Sequence, residues 1–136
     1  MTQEDKDLLL KDLCGRLPYG VKIHSTEYSG VWNIFSINPN GEVFVTDYIN
    51  SPFPSYYETC KPYLFPMSSM TEEQKNEFDT RTFEIMFGEV VCNKNDEMGY
   101  GKLMAFDLDF YNKHHLDWRG LIPKGLAIDA TGLNIY

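Results

Sequence analysis

Apolar positions near the start of the chain recur at helical spacing. Leu10, Leu13, Cys14 and Leu17 follow i, i+3, i+4, i+7 and predict a helix over residues 3–16 with one buried face. Thr2 stands at the N-cap position with Asp5 three residues on, as in a capping box. Glu4 and Asp5 in the first turn and Arg16 near the last suit the helix dipole. Gly15 and then LPYG (17–20) end the element.

The period then falls from helical to two. VKIHSTEY (21–28), VWNIFSIN (31–38) and EVFVTDY (42–48) predict three strands, separated by Ser29-Gly30 and by the turn sequence NPNG (38–41). Connections this short imply an antiparallel meander. Strict alternation in the middle strand puts Val31, Phe35 and Ile37 on one face and Trp32 and Ile34 on the other. Both faces being apolar implies cover on both sides, or one side that binds something. An exposed Trp32/Ile34 face would make a homodimer natural.

INSPFPSYYE (49–58) is predicted to be a loop, because Pro52 and Pro54 lack the N–H donors of an inner strand. In KPYLFPMSSMTEEQ (61–74), Pro62 and Pro66 bias Lys61 and Phe65 toward extended backbone, so the segment reads as a crossing from sheet to helix. Ser69 with Glu72, and Thr71 with Gln74, each form a capping-box pattern. The helix is predicted to break near Thr80, with a strand after it on the alternation of Phe83, Ile85 and Phe87. NKNDEMGYG (93–101) reads as a polar loop. Residues 103–115 read as a helix with Met104, Leu108, Tyr111 and His115 in one stripe. Asp117 would cap a short helix through Leu121 and Ile122, and LAI (126–128) is a last extended piece. The expectation is a single α+β domain over residues 1–136: an N-terminal helix, a three-stranded antiparallel meander, and a helical C-terminal half packed on the sheet.

Composition changes the picture in three ways. At 136 residues the chain can hold one core without staples. Aromatics at 15% favour β structure or an aromatic contact surface. The formal charge of −8 repels phosphates and anionic lipid, and Lys11, Arg16, Lys22, Lys113, Arg119 and Lys124 are scattered among carboxylates. Nucleic acid and membrane are therefore not expected partners, although the meander aromatics keep a nucleic-acid binder as an alternative. Cys14, Cys60 and Cys92 lack disulfide or zinc spacing and read as small buried hydrophobes in a reducing cytoplasm. The acidic opening MTQEDKDLLL has no signal-peptide pattern, and no apolar run is long enough to span a membrane.

Candidate chemistry is sparse. His114, His115 and Asp117 invite a metal or acid–base reading, but adjacent helical residues diverge by about 100°, so the two imidazoles do not share one ion easily. The plainer reading is one histidine packed, one solvated, and Asp117 as a cap. Cys60 beside Lys61, with His24 elsewhere, has the types of a nucleophile and base without a supporting motif. GYGK (99–102) lacks Walker spacing, and neither DLD nor NKNDE matches a calcium loop. No cofactor or metal is expected. The aromatic run Phe53, Tyr56, Tyr57, Tyr63 and Phe65, together with Trp118 and Arg119, is the candidate binding surface.

Three blocks, KDLCGRLPYGVK (11–22), KPYLFPMSSMTEEQ (61–74) and DFYNKHHLDWRGLIPKGLAIDA (109–130), resemble a family of small uncharacterised proteins found in Bacteroidetes and their phages or mobile elements. They cover about a third of the chain in the family's order. Many relatives carry a basic residue in place of Phe65 and Tyr in place of Trp118. The resemblance implies a bacterial or phage cytoplasm and a unit in which the three blocks pack together. It supplies no activity, ligand or catalytic residue. The leading expectation is a non-enzymatic protein-binding module: a regulator, adaptor or inhibitor. The alternative is a small hydrolase or metal-dependent enzyme using His114, His115, Asp117 or Cys60.

Overall fold

A computed structural model describes residues 1–47, 51–85 and 100–136, with side chains from 103 onward in the last stretch. The order is α1 (Gln3–Arg16), β1 (Lys22–Ser25), β2 (Val31–Ile37), β3 (Glu42–Thr46), β4 (Phe53–Tyr56), β5 (Cys60–Leu64), α2 (Glu72–Glu84), α3 (Tyr100–Lys113) and β6 (Ile128–Asp129). The fold is α+β.

α1 starts as its sequence dictates. Asp5 N–H donates to Thr2 Oγ1 at 3.1 Å while Thr2 N–H donates to Asp5 Oδ2 at 3.2 Å, closing the capping box. Its buried face is another matter. Leu9, Asp12, Leu13 and Arg16 are buried, one position back from the apolar set Leu10, Leu13, Cys14 and Leu17, and Cys14 is exposed. The i, i+3, i+4, i+7 spacing holds. Two of its four positions are filled by an ion pair, which apolar periodicity cannot see.

Among the described residues the sheet has six strands in the order β4-β3-β2-β1-β5-β6, so the antiparallel run β1-β2-β3 is extended on both edges beyond the expected three. β1 to β5 pair antiparallel with their neighbours, whereas β6 runs parallel to β5. The 53–56 part of the expected loop is the edge strand β4, where Pro54 can leave a donor unmade at no cost to an inner ladder. The expected crossing is β5, a strand inside the sheet. Its Pro62 is tolerated there because the parallel ladder to β6 begins only at Tyr63.

A bulge interrupts β2. Ile34 opposes Val45 and Ser36 opposes Phe44, so Phe35 is the extra residue. The added residue returns Ile37, opposite Val43, to the face shared by Ile34, contrary to strict alternation. That face packs on Leu9 and Leu13 of α1 and on Leu121, Leu126 and Ala127 to form the core.

α2 continues to Glu84 with Ile85 as its C-cap, so no strand forms over 81–85; residues 86 and 87 of that expectation lie outside the described residues. Of the two candidate caps Thr71 is the one used: Thr71 and Gln74 close the box, and Ser69 belongs to a preceding 3₁₀ turn, Met67–Ser69. α3 begins at Tyr100, so Tyr100 and Gly101 are helical; the rest of the 93–101 loop lies outside the described residues. Phe106, Phe110 and Tyr111 gather around Phe78 of α2, with ring centroids 5.2–5.7 Å from it. Met104 (62% exposed) and Leu108 face outward, so the stripe Met104–Leu108–Tyr111–His115 is not the buried one. Beyond α3 the expected short helix is a set of turns, in which the Asp117 carboxylate accepts from the N–H groups of Leu121 (2.7 Å) and Ile122 (2.9 Å). Among the described residues, no helix is long and apolar enough to cross a membrane.

Candidate functional site

Among the described residues, two places gather side chains that could act on something outside the chain. The first is where α1, β5 and the end of α3 meet. Arg16, fully buried, donates through Nε to Asp12 Oδ2 at 2.7 Å and through Nη2 to Asp12 Oδ1 at 3.1 Å and the Leu116 carbonyl at 2.7 Å. Asn112 Nδ2 donates to the Gly15 carbonyl at 3.3 Å, and Trp118 Nε1 donates to Asn112 Oδ1 at 3.0 Å. Arg119 lies 4.1 Å over the Trp118 ring, its Nε 3.5 Å from Asp12 Oδ1. From the other side, Phe65 N–H donates to the His115 carbonyl and Asp117 N–H to the Phe65 carbonyl, each at 2.8 Å. Residues of 11–22, 61–74 and 109–130 are thus bound into one unit.

Beside this junction is a cleft of about 250 Å³, lined by Phe65 and Leu116 and by the polar Thr71, Gln74, His114 and Thr131. Gln74 Nε2 lies 3.3 Å from His114 Nδ1, and Glu77 Oε2 lies 3.7 Å from His114 Nε2. Burial pulls the His114 imidazole below its ordinary pKa, with Glu77 opposing the shift.

Next to it, His115 adopts φ 57° and stacks on the Tyr136 ring at 3.6 Å. Burial, and then the positive charge of Arg16, hold its pKa down at about 4. The Tyr136 ring is partly open, but its hydroxyl is enclosed: it accepts from Lys22 N–H at 3.2 Å and donates to the Tyr63 carbonyl at 2.9 Å. Burial pushes its pKa up to about 12.

The second place is the sheet face turned away from the core. By register, Glu42, Phe44, Pro54 and Tyr56 share this face. Tyr56 is 64% exposed and the bulged Phe35 63%, with Val31 also exposed. Beside Tyr56 is a depression of about 280 Å³ whose lining includes Glu27, Tyr28 and Glu42.

The predicted surface residues therefore divide. Tyr56 is open to solvent. Phe53 packs edge-on against Tyr28 and Trp32 at 4.9 and 5.1 Å. Tyr57 lies over Gly41, where a Cβ would sit 2.6 Å from its ring. Tyr63 is buried, Phe65 is half-buried in the cleft, and Trp118 and Arg119 belong to the junction. Phe35 was not on the sequence-derived surface: alternation sets it beside Val31, opposite Ile34, but with both faces of β2 apolar the sequence does not say which face is covered.

The enzyme alternatives do not assemble. Cys60 opposes Ser25, whereas His24 opposes Lys61, so Cys60 and His24 point to opposite faces of the sheet. Burial raises the Cys60 thiol to about 11, far from a ready thiolate. His114 and His115 face Gln74 and Tyr136 respectively, and Asp117 is committed to backbone N–H groups. Among the described residues, no three His, Cys, Asp or Glu side chains could hold one metal ion. No family model, curated protein or solved structure matches the chain.

Proposed function

We propose that the chain is a non-enzymatic protein-binding module that engages its partner through the outer face of β2, β3 and β4. The carrying observation is that Phe35 and Tyr56, each nearly two-thirds exposed, stand on one sheet face with Phe44 and Pro54 between strands. Large exposed aromatics on a rigid sheet are the residue types that anchor protein interfaces at low entropic cost. The depression beside Tyr56 adds the Glu27 and Glu42 carboxylates, a setting that suits a Lys or Arg side chain of the partner. The net charge of −8 supports a basic partner surface and opposes a nucleic-acid backbone. With the resemblance of the three blocks to proteins of Bacteroidetes phages and mobile elements, the reading becomes a cytoplasmic regulator, adaptor or inhibitor of a host or mobile-element system.

The test is affinity capture from a bacterial lysate with the wild-type chain and with Phe35→Ser/Tyr56→Ser. A protein retained by the first and lost from the second supports the reading. Recovery of the same proteins by both chains contradicts it.

A further inference from the structure

The β1–β5 ladder carries a side chain in place of one of its rungs. Ile23 opposes Pro62, so Lys22 stands opposite Tyr63 in the same register. Thr26 N–H donates to the Thr59 carbonyl at 2.9 Å, which fixes the phase: hydrogen-bonded pairs alternate, and Lys22–Tyr63 belongs to the bonded set with His24–Lys61. A direct bond from Lys22 N–H to the Tyr63 carbonyl would complete that pair. The Tyr136 hydroxyl lies there instead, accepting from Lys22 N–H at 3.2 Å and donating to the Tyr63 carbonyl at 2.9 Å. A hydroxyl does both at once.

The segment that brings Tyr136 there is fastened at its ends and open between them. Ala130 N–H donates to the Leu64 carbonyl at 2.8 Å, and Lys22 Nζ donates to the Ile135 carbonyl at 2.9 Å. Thr131 to Asn134 are exposed, and the chain turns at Gly132 (φ 76°) and Asn134 (φ 53°). Thr131 and Gly132 line the junction cleft together with Phe65, Gln74 and Leu116.

A backbone group that loses its partner away from water is costly, and that cost holds most such contacts shut. Here the two groups that Tyr136 would leave behind are the donor and acceptor of one ladder bond. They need only draw together by roughly the width of the oxygen between them to satisfy each other. Release gives up the His115 stack and the Lys22 contacts but no member of the core cluster, so it is a local opening. The same rung can thus be completed in two ways, with the segment docked or with it free.

We propose that residues 131–136 are a latch on the junction cleft. Docked, the Tyr136 hydroxyl completes the Lys22–Tyr63 rung, and Thr131 and Gly132 wall the cleft. Released, the rung closes on itself, and the Phe65 and His115 rings are uncovered.

The test compares the full wild-type chain with Tyr136→Phe and Lys22→Met, by ¹H–¹⁵N NMR relaxation of residues 131–136 and by hydrogen exchange of the residue-22 amide. In Tyr136→Phe the heteronuclear NOE of Leu133 to Ile135 should fall to that of a mobile segment, and the Gln74 and Leu116 amides should shift as the cleft wall leaves. The Lys22 amide should nonetheless keep its protection to within about threefold, because the Tyr63 carbonyl takes it. Lys22→Met, which spares the hydroxyl, should loosen the segment less and leave that protection unchanged. An ordered segment in Tyr136→Phe, unmoved Gln74 and Leu116 amides, or equal loosening by Lys22→Met would overturn the latch. So would a loss of residue-22 protection of about tenfold or more in Tyr136→Phe, since the tyrosine would then be a fixed part of the sheet.

Discussion

Gln74 Nε2 and His114 Nδ1 meet at 3.3 Å across forty residues of sequence, and the meeting is arranged by a helix cap. The same Gln74 side chain accepts from Thr71 N–H at 2.9 Å, so the capping box that starts α2 also orients an imidazole at the end of α3. Replacing Gln74 by Ala should cost about 1 kcal/mol of stability through the lost cap. It should also release the tautomer. ¹⁵N NMR of the His114 ring is expected to show Nε2–H in the wild type and a mixture in Gln74→Ala; an unchanged ring would contradict the link.

The buried Asp12–Arg16 pair should behave as a unit. Asp12→Ala or Arg16→Ala alone leaves a charge stranded in the core and should cost about 3–5 kcal/mol in urea unfolding. Asp12→Leu with Arg16→Met should cost clearly less than the two Ala changes summed. Strict additivity would show that the two side chains do not depend on each other.

That pair also explains where the sequence is legible and where it is not. Helix starts at Thr2 and Thr71 were readable because caps are local, involving residues three apart. The buried face of α1 was not, because Asp12 and Arg16 look solvent-facing until Leu116 supplies a carbonyl from a hundred residues away. In α3, Met104 and Leu108 carried the apolar stripe on paper, but Phe78 of α2 selects Phe106 and Phe110 instead. β4 and β5 were hidden by prolines whose tolerance depends on which strand lies alongside. The inward side of Ile37 was hidden by a bulge, which no period-two reading contains, and the exposure of Phe35 by the apolar character of both faces of β2. The cleft joins Phe65 and Gln74 of the 61–74 block to His114, forty residues beyond Gln74, so no short motif could mark it.

Acid should weaken the fold through His115. Its pKa is about 4 in the folded chain against an ordinary 6.5, so between these values the unfolded chain binds more protons. Stability is therefore expected to be full above about pH 6.5, to fall as pH drops through this window, and to level off for this group below about pH 4. Allowing for partial solvent screening, the loss is on the order of 2 kcal/mol. His114, shifted in the same direction, adds to it. His115→Asn, which suits the positive φ, should flatten the profile; an equally steep profile in that variant would contradict the assignment.

The two described free cysteines should differ in reactivity. Cys14 is exposed, whereas Cys60 is buried, donates to the Tyr56 carbonyl at 3.5 Å and has its thiol pKa raised to about 11. Peptide mapping after brief iodoacetamide treatment should find label on Cys14 and none on Cys60 until denaturant is added. Early labelling of Cys60 would mean that β5 opens readily.

Gly41 closes the turn before β3 at φ 86°, with a would-be Cβ 2.6 Å from the Tyr57 ring. Gly41→Ala should cost about 2 kcal/mol or more, from the left-handed backbone and the displaced ring together. Thermal unfolding checks it, and a loss within a few tenths would show that Tyr57 does not rest there.

The outer sheet face is tested most directly by placing a photo-crosslinking phenylalanine analogue at position 35, at position 56, or at position 104 of α3, and irradiating bacterial cells that express each chain. Positions 35 and 56 are expected to yield a covalent adduct with the same second protein, and position 104, equally exposed but on a helix, to yield none. Adducts from position 104 as readily as from 35 and 56, or no adduct from either sheet position, would contradict a protein-binding face on β2–β4.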